Sequence, residues 1–184
     1  MKIIKYEDLA YPETLKSIKN PPKKIYLEGN IDNLKSNCLA VVGSRNCTSY
    51  GEKWCEIFVK ELVKHNITIV SGMALGIDSI AHNTALKYGG KTIAVLPSGL
   101  ENIYPKRNKG LFKKILESNG TVISEYTPKT EASYNLFLER NRIVSGLSIG
   151  LLVVEAAFRS GTSVTARLAL SQGKDVFCIP RKFR

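Results

Sequence analysis

The chain has 184 residues, 43% of them hydrophobic, enough for one sizeable core and too short for several domains. Its 27 Lys and Arg against 16 Asp and Glu give a formal net charge of +11, which favours a polyanionic partner such as nucleic acid or a nucleotide. No apolar run approaches a membrane span and the charged start MKIIKYED has no signal core, so a soluble cytoplasmic protein with no membrane partner is expected.

Residues 1–36 read as a lead-in packed on the core. Tyr6, Leu9, Tyr11, Leu15 and Ile18 suggest a short helix or two, Asn20-Pro21-Pro22 is a breaker, and Lys24–Glu28 alternates like a short edge strand ended by Gly29-Asn30. From Cys38 the pattern turns into strand–helix repeats. Cys38–Val42 is a buried strand followed by the Gly43-Ser44-Arg45 turn. Ser49 and Glu52 fit a capping box ahead of a helix with Trp54, Ile57, Phe58 and Leu62 on one stripe. Ile67–Val70 is the second strand, with Ser71–Gly76 as its turn. A helix carrying Ile77, Ile80, Ala81 and Ala85 then stops at Gly89-Gly90. Thr92–Leu96 is the third strand, Pro97–Lys109 a polar loop and Leu111–Leu116 a helix. Thr121–Ser124 is the fourth strand and Leu136–Leu147 a helix. Ile149–Val154 is the fifth strand and Thr162–Ser171 its helix. Asp175–Ile179 is the sixth strand.

Six short apolar strands alternating with helices predict an α/β fold: a doubly wound, mostly parallel sheet with helices on both faces. Ligands of such sheets bind beyond the carboxyl ends of the strands. That places Gly43–Arg45, Ser71-Gly72, Pro97–Gly99 and Ser160–Thr162 on one rim. Neither G-x-G-x-x-G nor G-x-x-x-x-G-K-[ST] occurs, so no nucleotide cofactor is expected. Cys38, Cys47, Cys55 and Cys178 form no C-x-x-C pair and have no His at ligand spacing, which points to a reducing compartment and no structural metal.

Each rim residue has two readings. Arg159-Ser160-Gly161-Thr162 at the start of a helix is an anion site or an ordinary capped turn. Arg45 meets a phosphate with its planar fork or pairs with a neighbouring loop. Phe137, three residues before Arg140 on one helix face, stacks a base or fills the core. Asp78 and His82, four apart, could hydrogen-bond and brace the crevice; no nucleophile stands near them to make a catalytic set. Glu155 could anchor Arg142. Tyr104-Pro105 and Arg107 mark an ordered loop that either lines the crevice or covers the sheet.

Nine motifs then occur in order. They are VGSR at 42–45, SGMALGID at 71–78, Ala81-His82, IAVL at 93–96, Tyr104-Pro105, ISEY at 123–126, RNRIVSGLS at 140–148, VVEA at 153–156 and SGT at 160–162. Together they resemble the DNA-processing protein A family, also called Smf, of bacterial natural transformation. The resemblance implies an extended Rossmann-like domain over residues 37–184 with no established enzymatic activity. It implies that the chain binds single-stranded DNA, forms a homodimer and helps load the RecA recombinase. Carried over by motif, Arg45 is a DNA-binding position and Phe137 a stacking one. The expected DNA-binding set is Gly43, Ser44, Arg45, Ser71, Gly72, Phe137, Arg140, Arg142, Ser160, Gly161 and Thr162, with no catalytic residue. Family members often carry a lysine a few residues before the aromatic, whereas here Tyr134 and Asn135 stand nearby and the lysine is further back, at Lys129. A winged-helix domain and an N-terminal helical module found in some members are not expected, and the tail Arg181–Arg184 departs from the family pattern. The competing expectation is a nucleotide N-glycosidase of the lysine-decarboxylase-like Rossmann group. Such an enzyme needs a glutamate on the helix after the glycine turn, where this chain reads SVTARLAL. A sensor domain holding a small nucleotide in the same crevice is a third reading.

Overall fold

A computed structural model describes residues 1–157 and 160–180. Its strands are β1 (Lys2–Lys5), β2 (Lys24–Gly29), β3 (Cys38–Val42), β4 (Thr68–Ser71), β5 (Thr92–Val95), β6 (Thr121–Ser124), β7 (Gly150–Val153) and β8 (Asp175–Cys178). Its helices are α1 (Glu13–Lys16), α2 (Ser49–Lys64), α3 (Ile77–Lys87), α4 (Lys109–Glu117), α5 (Tyr134–Gly146) and α6 (Gly161–Ser171).

All eight strands form one sheet in the order β1-β2-β6-β5-β4-β3-β7-β8. From β6 to β8 every pairing is parallel; β1 and β2 add an antiparallel flap. The chain steps outward from β3 through β4 and β5 to β6, then returns to lay β7 on the other side of β3. The order therefore reverses between β3 and β7, and a crevice opens at that point beyond their carboxyl ends.

The burial pattern explains the sheet. Strands β4, β5, β6 and β7 are buried at every position, as strands covered on both faces must be. Within β3, Ala40 and Val42 face one core with Leu15, Ile18, Ile143, Val144 and Ala169 of α1, α5 and α6 and the segment between them. Val41 faces the other, with Cys55 and Val59 of α2 and Ile77, Ala81 and Ala85 of α3. Helix α4 closes a third cluster with Leu111, Phe112 and Ile115 against Met73 and Leu96. The doubly wound sheet expected from the alternation is what forms.

The lead-in differs from its expected form. Lys24–Gly29 is an inner strand, because Lys2–Lys5 pairs along its outer side. Within KIIK only Ile4 is buried, so the segment is too short and too exposed to display an alternation. The cap of α2 is Thr48, whose hydroxyl accepts from Gly51 N at 3.3 Å; Ser49 is already helical.

Asp78 and His82 do not pair with each other. Asp78 turns back to the β4 turn. His82, fully buried, meets Thr92 Oγ1 through Nδ1 at 2.7 Å. That hydroxyl already donates to Ile69 O at 2.8 Å, so it accepts from the imidazole N–H, and Nε2 is left buried without a partner. Burial first, and then the Arg140 charge, push the imidazole pKa down to about 3. An unfolded chain takes that proton near 6.5 while the folded one refuses it, so stability is present above about pH 6.5 and lost as pH falls toward about 3. His82→Gln removes the effect. Urea titrations should give a pH 7 to pH 5 stability loss about 2 kcal/mol smaller in the variant than in the wild type. Equal losses would show that His82 is not the buried neutral group.

Candidate nucleic-acid interface

At the reversal of strand order lies a groove of about 790 Å³. Its walls bring together Gly43, Ser44, Arg45, Gly72, Phe137, Arg140, Ser160, Gly161 and Thr162 of the expected set. Ser71 and Arg142 are not among its walls, whereas Tyr104, Tyr134, Asn141 and Thr165 are.

The Gly43–Arg45 turn is held from three sides. Ser44 N donates to Glu155 O at 2.7 Å and Ser44 O accepts from Ile77 N at 3.1 Å. The Glu155 carboxylate accepts from Thr48 N at 3.0 Å and Thr48 Oγ1 at 2.9 Å, which fastens the turn to the start of α2. Gly76, at φ +72°, lets α3 begin directly against the turn; a Cβ there would run into the Ser44 carbonyl oxygen. Glu155 thus braces Thr48 and not Arg142, contrary to expectation. From this fixed backbone Arg45 projects into solvent and has no carboxylate partner among the described residues.

The Arg45 guanidinium lies over the Phe137 ring, 5.1 Å from its centroid. Phe137, half-buried in the first turn of α5, also meets the edge of the Tyr104 pair, with ring centroids 5.2 Å apart and planes at 76°. A cation over one ring and a second ring at right angles are both favoured by the aromatic quadrupole. On the opposite wall Ser160 Oγ accepts from Ser163 N at 3.3 Å and caps α6. The first internal bond of that helix is Val164 N to Ser160 O, so the N–H groups of Gly161 and Thr162 precede it and carry the positive end of the helix dipole. Arg159, expected in this turn, and Arg181–Arg184 lie outside the described residues.

Four expected contacts are corrected. Arg140 is only 4% exposed; its Nη1 donates to Gly72 O at 2.6 Å and to Val95 O, and its Nε to Asn141 Oδ1 at 3.3 Å. Burial lowers its pKa to about 10, with the Asp78 charge opposing, so it stays cationic at neutral pH, with Nη1 committed to the ends of β4 and β5. Asp78, buried beside it, accepts from Gly72 N at 3.1 Å and Ala74 N at 3.3 Å; burial raises its pKa, with Arg140 opposing. Ser71 belongs to β4, and its hydroxyl donates to Val41 O at 2.7 Å inside the sheet. Arg142 points away from the groove. It grips Glu125 with two bonds of 2.7 and 2.8 Å and donates to Asn20 O at 3.1 Å, tying the lead-in to α5. Pro97–Gly99 is buried under residues 127–130, with Gly99 N on Thr130 O at 2.9 Å, and offers no open N–H cradle. Lys129 does not line the groove.

A parallel sheet whose reversal point carries small rigid turns, a helix N-terminus and an exposed arginine on an aromatic ring is a Rossmann-like fold with a groove whose lining suits an anion. The chain belongs to the DNA recombination-mediator protein A family, whose model matches residues 2–184. It is 46% identical to Protein Smf of Escherichia coli over 92% of this chain and 46% of that one. It is 44% identical to DNA processing protein DprA of Streptococcus pneumoniae over 94% of this chain and 61% of that one. The chain thus spans about half the length of these curated relatives. Among solved structures, DprA of Streptococcus pneumoniae superposes with a TM-score of 0.94 at 42% identity, over 99% of this chain and 64% of that one. DNA processing protein A of Helicobacter pylori, described for its single-stranded DNA binding mode, superposes with a TM-score of 0.90 at 34% identity over 100% of this chain and 83% of that one. A molybdenum cofactor carrier protein of Chlamydomonas reinhardtii, at 20% identity and TM-score 0.53, shares the fold alone. Among the described residues no helix is long and apolar enough to cross a membrane.

Arg140→Ala would strip two buried strand-end carbonyls of their donor and leave Asp78 as an uncompensated buried charge. A loss of about 3–5 kcal/mol in chemical denaturation is expected. A loss under about 1 kcal/mol, the range of an exposed ion pair, would show that Arg140 is not the clamp.

Proposed function

We propose that this chain is a single-stranded DNA-binding recombination mediator that holds a strand and hands it to a recombinase. The observation that carries the reading is the free Arg45 fork set beside Phe137 at the mouth of a groove whose far wall is a helix N-terminus. Phosphates sit on Arg45 and on the backbone N–H groups of Gly43–Arg45 and Gly161–Thr162, while a base stacks on Phe137. Family membership and the single-strand binding described for the Helicobacter pylori relative support the same reading. The recombinase is RecA, the working assembly a homodimer and the compartment the cytoplasm. The process served is the natural transformation to which the family resemblance points.

The protein does this without chemistry of its own. Helix α6 reads GTSVTARLALS and carries no acid to assist glycosidic cleavage. Asp78, the carboxylate on the groove wall, is buried and spent on two backbone N–H groups beside Arg140.

Binding should fall steeply with salt, because each neutralised phosphate of a single strand contributes a slope of about 0.7. Arg45→Ala should weaken binding of a fluorescent oligonucleotide by about tenfold to a hundredfold and lower the salt slope by about 0.7, since one charge-assisted contact is worth about 1.5–3 kcal/mol. Fluorescence anisotropy at two salt concentrations checks both, with duplex DNA of the same sequence as the competitor. Unchanged affinity and slope in the variant would sink the site.

A further inference from the structure

Tyr104 stands on the lip of the groove, 43% exposed, with its ring against Phe137. It is presented by the loop between β5 and α4, and that loop is firmly braced. Asn108 Nδ2 donates to Met73 O at 2.7 Å and to Ser79 Oγ at 2.9 Å, and Glu101 N donates to Pro128 O at 2.9 Å. A ring already held in place surrenders little conformational freedom when a ligand docks on it.

Building on the single-strand reading of the groove, we infer that Tyr104 is a second base platform. Tyr104 and Phe137 together take two successive bases, one on each ring. The two ring planes stand 76° apart, so bases lying flat on them cannot remain stacked on each other. The pair therefore holds a strand opened between neighbouring nucleotides. A duplex, whose neighbouring bases stay parallel and paired, does not fit this geometry. Arg45 completes the arrangement. Its guanidinium covers one face of Phe137, 5.1 Å from the centroid. A phosphate arriving at the Gly43–Arg45 turn draws the fork onto its oxygens and clears that face for a base.

The test compares wild type, Tyr104→Phe, Tyr104→Leu and Arg45→Ala for binding of a fluorescent thymidine oligonucleotide at two salt concentrations, with the melting temperature of each protein recorded. Tyr104→Phe keeps the ring and should bind like wild type. Tyr104→Leu keeps the apolar bulk and the melting temperature but should bind roughly tenfold more weakly, the loss of one base–ring stack. Its salt slope should stay that of wild type, because no phosphate contact is lost. A second oligonucleotide with two adjacent 2-aminopurines should lose its exciton circular dichroism on binding wild type and keep it on binding Tyr104→Leu. Wild-type affinity in Tyr104→Leu beside weakened binding in Arg45→Ala overturns the role of Tyr104 and leaves the groove standing. Full affinity in both variants overturns the groove as well. Persistence of the exciton band in the wild-type complex overturns the opened strand.

Discussion

A cation buried in protein has to satisfy its donors locally or unfold the region around it. Arg140 does so by reaching from α5 to the ends of β4 and β5, where it takes the carbonyls of Gly72 and Val95. Asp78, on α3, sits in its field and takes the N–H groups of the same turn. Four elements from different parts of the chain, α3, α5, β4 and β5, are thereby pinned at one point under the groove. A Cβ on Gly72 would occupy the guanidinium's place, so the clamp also requires that the turn be bare. Phe137, three residues before Arg140, then has its position set, because residues i and i+3 share a helix face.

What the clamp fixes from below, the Gly43–Arg45 turn completes from the side. Its backbone is tied to the end of β7 through Glu155 and to α3 through Ile77, and the Glu155 carboxylate in turn holds Thr48 at the start of α2. The rigidity matters for binding, since a preformed set of donors needs no reorganisation when a phosphate arrives. The chain's large positive charge acts differently. It attracts a polyanion from a distance and is screened by salt, while Arg45 supplies a localised contact. In the proposed role, a general surface of lysines brings a strand near, and the turn and the rings decide where it lies.

The core strands were legible because full burial on both faces writes itself as a continuous apolar run, as in Ile67–Val70 or Thr92–Leu96. Strand β1 was not, because one inward residue in four makes no pattern. Half of the groove was legible too, for Gly43–Arg45 and Ser160–Thr162 follow strands at their carboxyl ends. The three arginines Arg45, Arg140 and Arg142 looked alike in the sequence and have three fates. Arg45 is exposed, Arg140 is buried on strand ends and Arg142 is paired to Glu125. Arg140 and Arg142 differ by two positions on a helix, a rotation of roughly 200°, which sends them to opposite sides.

By itself the sequence determined the doubly wound sheet, the rim on which any ligand would sit and the family to which the chain belongs. Each of these follows from periodicity and short motifs, which are local properties of the chain. Only the tertiary structure decided which rim residues face the groove. Ser71 turned into the sheet, Pro97–Gly99 disappeared under a loop, and Tyr104 arrived beside Phe137 from 33 positions earlier in the chain. Those outcomes depend on strand order and on contacts between distant segments. A buried cation or a packed ring is defined by its neighbours in space, and the linear sequence does not contain them.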